Sequence, residues 1–452
     1  MNKIFTLLLL IASGTLSYGQ NNCWLKIASA NGHTIAIASD GTLWSWGNNP
    51  SGQLGLGDTT VRIAPTQIGT DNDWQSISPS SAIKTNGTLW VWGSNNNGQL
   101  GLGDTTNRLS PIQLGTDTNW LSTTVGSSAH SLAIKTDGTL WSWGYGASGQ
   151  LGLGGIYSVS TPTQVGTATN WKSISTGSNH SLAIKTDNTL WVWGRNASRE
   201  LGITATENQT APVVRGNTWL SASASDLFSL AVRSDGTLWA WGTNGFGQLG
   251  IGNNSSPFQP TRVGTDTDWT KVVTGTYHTI AIKNNGTLWA WGYNNYGQLG
   301  LGTIDGDHFS PAQIGTATDW LDIEAGSYFG VARKSSGEIS AWGKNDLGQL
   351  GLGNTTNNSN LTVVNCPTTL SSASFNAQNL KVYPNPVKDI LTVSNDGEIT
   401  SAAIYNLLGQ EVLAKAINAN EDTIDVSSLQ SGTYLIKVTS DNAVKTLKFI
   451  KK

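Results

Sequence analysis

Four of the five histidines in this 452-residue chain share one spacing. His33, His130, His180 and His278 each lie 13 residues before a tryptophan, namely Trp46, Trp143, Trp193 and Trp291. Four imidazoles in register could hold a metal or act as general bases. Phe228, Phe329 and Pro79 fill the same position elsewhere, and a position that accepts Phe is a packing position first. No Ser-His-Asp spacing, His-Glu-x-x-His or Cys-x-x-Cys is present. The recurrent Gly-Gln-Leu-Gly-Leu-Gly has the glycines of a phosphate cradle, but no Lys-Ser/Thr or helix start follows it. Asp40, Asp137 and Asp235 each precede a glycine, which makes them turn residues. A residue needed once for catalysis need occur only once, so residues repeated along the chain are structural. No catalytic residue, cofactor or metal is expected, and the chain is read as a non-enzyme.

Composition narrows the class further. Charged residues are only 12%, the net charge is −3, and 26 Lys+Arg give no basic footprint for nucleic acid. One Met and two Cys leave little for a thiol-rich site. The 53 Gly and 20 Trp point to many short strands joined by tight turns.

Those tryptophans follow a period. Gly-Thr-Leu-Trp-x-Trp-Gly recurs with final glycines at 47, 93, 144, 194, 242, 292 and 343, giving seven units of about 50 residues. The fourth and seventh copies depart slightly. Trp24, Trp74, Trp120, Trp171, Trp219, Trp269 and Trp320 open the units, and the first Trp of the pair is Ser340 in the seventh. Within a unit, Ser131–Lys135 and Thr139–Trp143 alternate as strands do around Asp137-Gly138. Asp-Gly suggests a two-residue turn with positive φ at both positions. Strands around Pro162–Gly166 and Trp171–Ser175 make four per unit. Four strands in each of seven units predict a β-propeller. At fixed strand positions the tryptophans are expected to be core.

The two ends differ from this middle. Lys3, the apolar Ile4–Ala12, and small Ser17 and Gly19 before Gln20 read as a cleaved secretory signal over residues 1–19. No later stretch is apolar enough for a membrane helix. Residues 367–379 are small and polar and suit a linker. From Leu380 onward the Trp repeats stop, and alternating segments predict a small β-sandwich of six or seven strands. The whole is therefore read as all-β: a seven-bladed β-propeller over 20–366 with a C-terminal immunoglobulin-like β-sandwich over 380–452.

Two resemblances sharpen this. His-Ser/Thr-Leu-Ala-Ile, Asp-Gly-x-Leu-Trp-x-Trp-Gly and Asn-x-x-Gly-Gln-Leu-Gly-Leu-Gly resemble the regulator-of-chromosome-condensation repeats of seven-bladed propellers. That family includes a guanine-nucleotide exchange factor, but a GTPase partner is intracellular and this chain is addressed outward. Tyr383-Pro384-Asn385-Pro386, Gly409 in Asn-Leu-Leu-Gly-Gln, Gly432 in Gln-Ser-Gly-Thr-Tyr, and Lys451 near the end resemble the C-terminal sorting domain of type IX secretion in Bacteroidetes-type bacteria. This resemblance implies contact with that machinery and release or attachment outside the cell. A propeller's ends must meet, so Cys23, where the first unit opens, and Cys366, where the seventh closes, are expected to form a disulfide.

Binding is sought where the units differ. After each Trp-Gly comes a variable segment that carries Tyr145, Arg195, Phe246, Tyr293, Tyr296 and Lys344, and Arg199 stands where other units have Gly. Exposed aromatics and Arg are frequent anchors of binding surfaces. The expected partner is an extracellular protein, with a polysaccharide as the alternative, bound by a monomer.

Overall fold

The computed structural model describes residues 23–126, 130–366, 380–406, 410–440 and 443–452. The expected leader at 1–19, the linker and Gly409 lie outside these. After Cys366 the chain divides into two compact units.

Among the described residues the first unit holds seven four-stranded antiparallel sheets, each in sequence order. The third is representative: inner strand Trp120–Val125, second His130–Lys135, third Leu140–Gly144, outer Val159–Gln164. The strand opened by Trp171 is the inner strand of the next blade and not the end of its own unit. Inner strands contact one another around the ring, the first blade's meeting the seventh's. Between blades, side chains interleave: Leu132, Ile134, Leu140 and Val165 of the third blade pack with Trp171, Ala183 and Trp193 of the fourth.

The turn between second and third strands differs from the two-residue expectation. Gly138 N donates to Lys135 O, and Lys135 N donates to Thr139 O, so the loop is Thr136-Asp137-Gly138. Only the glycine has positive φ, at 78°. Asp137 instead uses Oδ1 to accept from Thr139 N and Oγ1 at 3.0 and 2.7 Å. A three-residue loop with glycine in the left-handed position absorbs the extra residue as a bulge.

Each class of tryptophan has its own task. The second Trp of the pair is fully buried, and in six of the seven blades its Nε1 reaches back to the preceding blade: Trp143 donates to Gln99 O at 2.8 Å and Trp193 to Gln150 O at 2.8 Å. The first donates to the turn threonine, as Trp141 does to Thr139 at 2.9 Å. Between this ring and the opening Trp sits a cation: Lys135 Nζ is 4.6 and 4.2 Å from the Trp120 and Trp141 ring centres and pairs with Asp117 at 2.7 Å. The tryptophans are therefore core and capped core.

The second unit has five strands among the described residues, not six or seven, because Ile390–Tyr405 and Glu411–Asp425 are long. Residues 392–394 of the first pair with Lys381–Tyr383, and residues 401–405 pair with Gly432–Ser440. One strand thus serves two pairings around a single core that includes Leu391, Val393, Ile404, Ile436 and Phe449.

Candidate functional site

Inner and third strands run the same way, so the loops that follow them emerge on one face. Hydrogen bonds tie the two loop sets together: Tyr293 N donates to Tyr277 O and Lys344 N to Tyr328 O, both at 2.9 Å. This face carries the mouth of the central channel, lined there by Asn31, Pro79, Gly177, Asp226, Thr276 and Ser327.

Four of the variable-segment residues meet on it. Phe246 lies 5.0 Å from Tyr293, Tyr293 lies 6.3 Å from Tyr296, and Lys344 Nζ is 5.3 Å from the Tyr296 ring. Two further members, Tyr277 and Tyr328, lie outside the variable segments. Tyr277 is 4.9 Å from Phe246, and Tyr328 is 5.3 Å from Tyr296. Both stand directly before the position held by His278 and Phe329, and that adjacency was the available signal. Most of these rings meet edge to face, the arrangement their quadrupoles favour. The rings are half-buried or exposed. Burial, with the neighbouring tyrosines and Asp226, pushes the Tyr328 hydroxyl above its ordinary pKa.

Other residues go elsewhere. Arg195 pairs at 2.7 Å with Glu200, which is fully buried where other units have Gln. Glu200 Oε2 accepts from Ser198 N at 2.7 Å, as Gln150 Oε1 does from Ser148 N. Arg195 therefore neutralises a carboxylate inside the blade. Arg199 has φ 65° and lies 5.3 Å from the exposed Phe258 ring. Tyr145 stands on the third blade, beside a second cavity that adjoins the channel mouth at Asn31 and Pro79.

The four spaced histidines belong to the ring. His130 Nε2 bonds Ser181 Oγ at 2.9 Å, His180 bonds Ser229 at 2.8 Å, and His33 bonds Pro79 O at 2.6 Å. Burial pulls His130 and His180 down to about 3 and His278 to about 4. Each is a neutral ring packed toward the next blade.

In the second unit Asn385, Gly432 and Lys451 come together around Val387 and Ile450. Asn385 Oδ1 accepts from Ile450 N at 2.9 Å, and Val387 N donates to Ile450 O at 2.8 Å. Lys451 is buried beside Val387. Gly432 begins the strand that brings Tyr434 to stack on Phe449 at 5.7 Å. Tyr383, Pro384 and Pro386 flank the Asn385 contact.

Seven sequential blades of Trp-Gly repeats define a β-propeller, here followed by an export unit. The Regulator of chromosome condensation (RCC1) repeat matches residues 40–81, 86–134, 137–184, 235–282, 285–333 and 336–383. The chain belongs to the RCC1 repeat family. A second form of the repeat also matches 171–199 and 220–248, so the departing fourth unit is recognised there. The Secretion system C-terminal sorting domain matches residues 381–452. It directs the protein through type IX secretion to the outside or the outer surface of a Bacteroidetes-type cell.

The chain is 32% identical over 150 residues to the Ultraviolet-B receptor UVR8 of Arabidopsis thaliana, covering 33% of this chain and 24% of that one. It is 40% identical over 86 residues to Ulvan lyase NLR42 of Nonlabens ulvanivorans, covering 18% and 16%. These matches span a quarter or less of each relative's own length. Among solved structures, human WBSCR16 superposes with a TM-score of 0.64 at 21% identity, covering 72% of this chain and 94% of that one. Yeast RCC1 (Prp20), in its complex with Kap60, gives 0.65 at 18%, covering 80% and 87%. This likeness is one of fold.

Proposed function

We propose that the mature protein is an exported, non-enzymatic binding propeller that captures a protein partner on the face bearing Phe246, Tyr277, Tyr293, Tyr296 and Tyr328. The observation that carries this reading is the aromatic cluster itself, assembled from three consecutive blades beside Lys344. Tyrosine gives large, stiff contact area with a polar tip, which suits protein recognition. Edge-to-face packing presents ring edges and hydroxyls rather than one flat platform, so the patch favours a protein over a sugar. The non-enzymatic reading is supported by the histidines, whose rings pack within the blades in neutral form.

Immobilised mature chain should retain a saturable partner from surrounding medium or cell envelopes, identified by mass spectrometry. Tyr293→Ala with Tyr296→Ala should weaken that partner at least about thirtyfold, the effect of removing hot-spot aromatics. Retention unaffected by the double substitution would sink the assignment of the patch. Binding should persist at high salt, because the cluster's one cation, Lys344, is already paired with Asp346 at 3.1 Å.

A further inference from the structure

The second blade is shorter than the others at one place. From Trp74 to Pro79 there are five positions, where the first unit has nine between Trp24 and His33. Strand register locates the loss. Ser78 pairs with Ser81 across a turn made only of Pro79 and Ser80, whereas in the first blade the inner strand continues through Ser29 and Ala30 to a turn at Asn31-Gly32. The segment equivalent to Ser29–Gly32 is missing, so the top inner corner of the blade is absent.

A cavity of about 640 Å³ occupies that corner. The floor is Pro79 and Ser80. Asn31 and His33 come from the first blade, Val125 and Tyr145 from the third, and the loops of the first two blades add Gln53, Ser94, Asn96, Asn97 and Gln99. Among the described residues, no Asp, Glu, Lys or Arg lines it. His33 is neutral, since burial lowers its pKa, and its Nδ1 is buried without a partner. The size falls within the range of small-molecule sites.

We propose that this notch is a binding site for a neutral oligosaccharide. A sugar hydroxyl both donates and accepts, and the amides of Asn31, Asn96 and Asn97 offer both functions, while Gln53 and Gln99 already accept from Ser51 N and Asn97 N at 2.9 Å and Gln99 donates to Ser94. A ligand with a formal charge would lose hydration here and meet no countercharge. The Tyr145 ring with Pro79 and Val125 supplies apolar surface for the C–H side of a pyranose. The notch uses none of the aromatic cluster's residues, so it stands or falls independently of protein capture.

Calorimetric titration of the mature chain with cellotetraose, laminaritetraose, mannotetraose and maltotetraose tests this. At least one should bind with Kd below about 1 mM, and Tyr145→Ala or Asn97→Ala should each weaken it about tenfold or more. Inserting Ser-Ala-Asn-Gly after Ser78 restores the missing segment and should abolish binding, while Tyr293→Ala with Tyr296→Ala should leave it intact. Thermal unfolding of each variant establishes that it is folded; Tyr145→Ala and Asn97→Ala, at half-buried and exposed positions, keep the test available if the insertion does not fold. No heat from any of the four sugars at about 10 mM overturns the proposal. Binding that survives Tyr145→Ala, Asn97→Ala and a folded insertion variant overturns it equally.

Discussion

Two kinds of desolvated titratable side chain load the fold in opposite directions as pH changes. The ring histidines have folded pKa values depressed to about 3–4. Between those values and an unfolded value near 6.5, the unfolded chain binds more protons, so stability falls as pH drops below about 6.5. Glu324 behaves oppositely. It lines the central channel beside Lys271 and Asp322, which pair with each other. Desolvation raises its carboxyl to about 8, against the lowering effect of Lys271 and with a further push from Asp322. The folded state then binds the extra proton, so stability falls as pH rises through about 4.5 to 8. Glu324→Gln should therefore raise the melting temperature by about 2 °C or more at pH 8.5 and leave it nearly unchanged at pH 4.5. His180→Phe should flatten the acid side instead. The sequence already places Phe228 and Phe329 at this position, and Ser229 keeps its 2.8 Å donation to Glu200 O when the imidazole is lost. A melting curve of either variant that runs parallel to wild type from pH 4.5 to 8.5 would contradict these assignments.

At the scale of the element, the turn after the second strand joins one blade to the next. Gly138 has φ 78°, and a Cβ there would run into the Thr169 carbonyl that leads to the next opening strand. Trp171 N in turn donates to Gly138 O at 3.1 Å. Gly138→Ala should cost about 1–3 kcal/mol, measured by denaturant unfolding; a loss under a few tenths would show that the turn relaxes freely. In the fourth blade, Asn188 holds this position at φ 62°. The connection there is rebuilt, with Gly216 and Thr218 also at positive φ and Trp219 N still donating to Asn188 O at 3.0 Å. These cases mark what the sequence makes legible. Period, strand order and tryptophan burial follow from side-chain alternation, a local property. The Asp-Gly pair signals a turn but not its length, because that depends on whether the aspartate enters the left-handed region or accepts hydrogen bonds from the threonine. Tyr277 and Tyr328 were missed because they precede a conspicuous packing position, and only the return of the third strand brings them beside Tyr293 and Tyr296. The notch was visible as a missing segment, yet its polar lining comes from three blades.

For the whole molecule, the question is how the ring stays shut. Among the described residues all seven sheets are continuous in sequence, so no strand is exchanged between the first and seventh blades. Closure depends on the seam between the seventh and first blades. Six seams carry a Trp Nε1 to carbonyl bond, from Trp92 to Gln53 through Trp342 to Gln298. At the seventh, Trp46 Nε1 is buried without a partner, and Thr34 Oγ1 donates to Gln349 O at 3.2 Å. Apolar packing still spans the seam, Trp24 and Ile27 meeting Phe329, Val331 and Val364. Cys23 and Cys366 form a disulfide beside it, with Cα atoms 5.9 Å apart and a sequence separation of 343. Such a loop limits the unfolded chain by roughly 5–6 kcal/mol in the entropic treatment, and measured gains are often smaller. Cys23→Ser with Cys366→Ser should therefore lower stability by about 2–5 kcal/mol. Because the defect is confined to one seam, hydrogen exchange in the double variant should rise first in Trp24–Ala30 and Asn358–Val363, ahead of the blades opposite. Uniform acceleration around the ring would instead mean that the bridge acts only on the unfolded chain and that packing alone holds the seam.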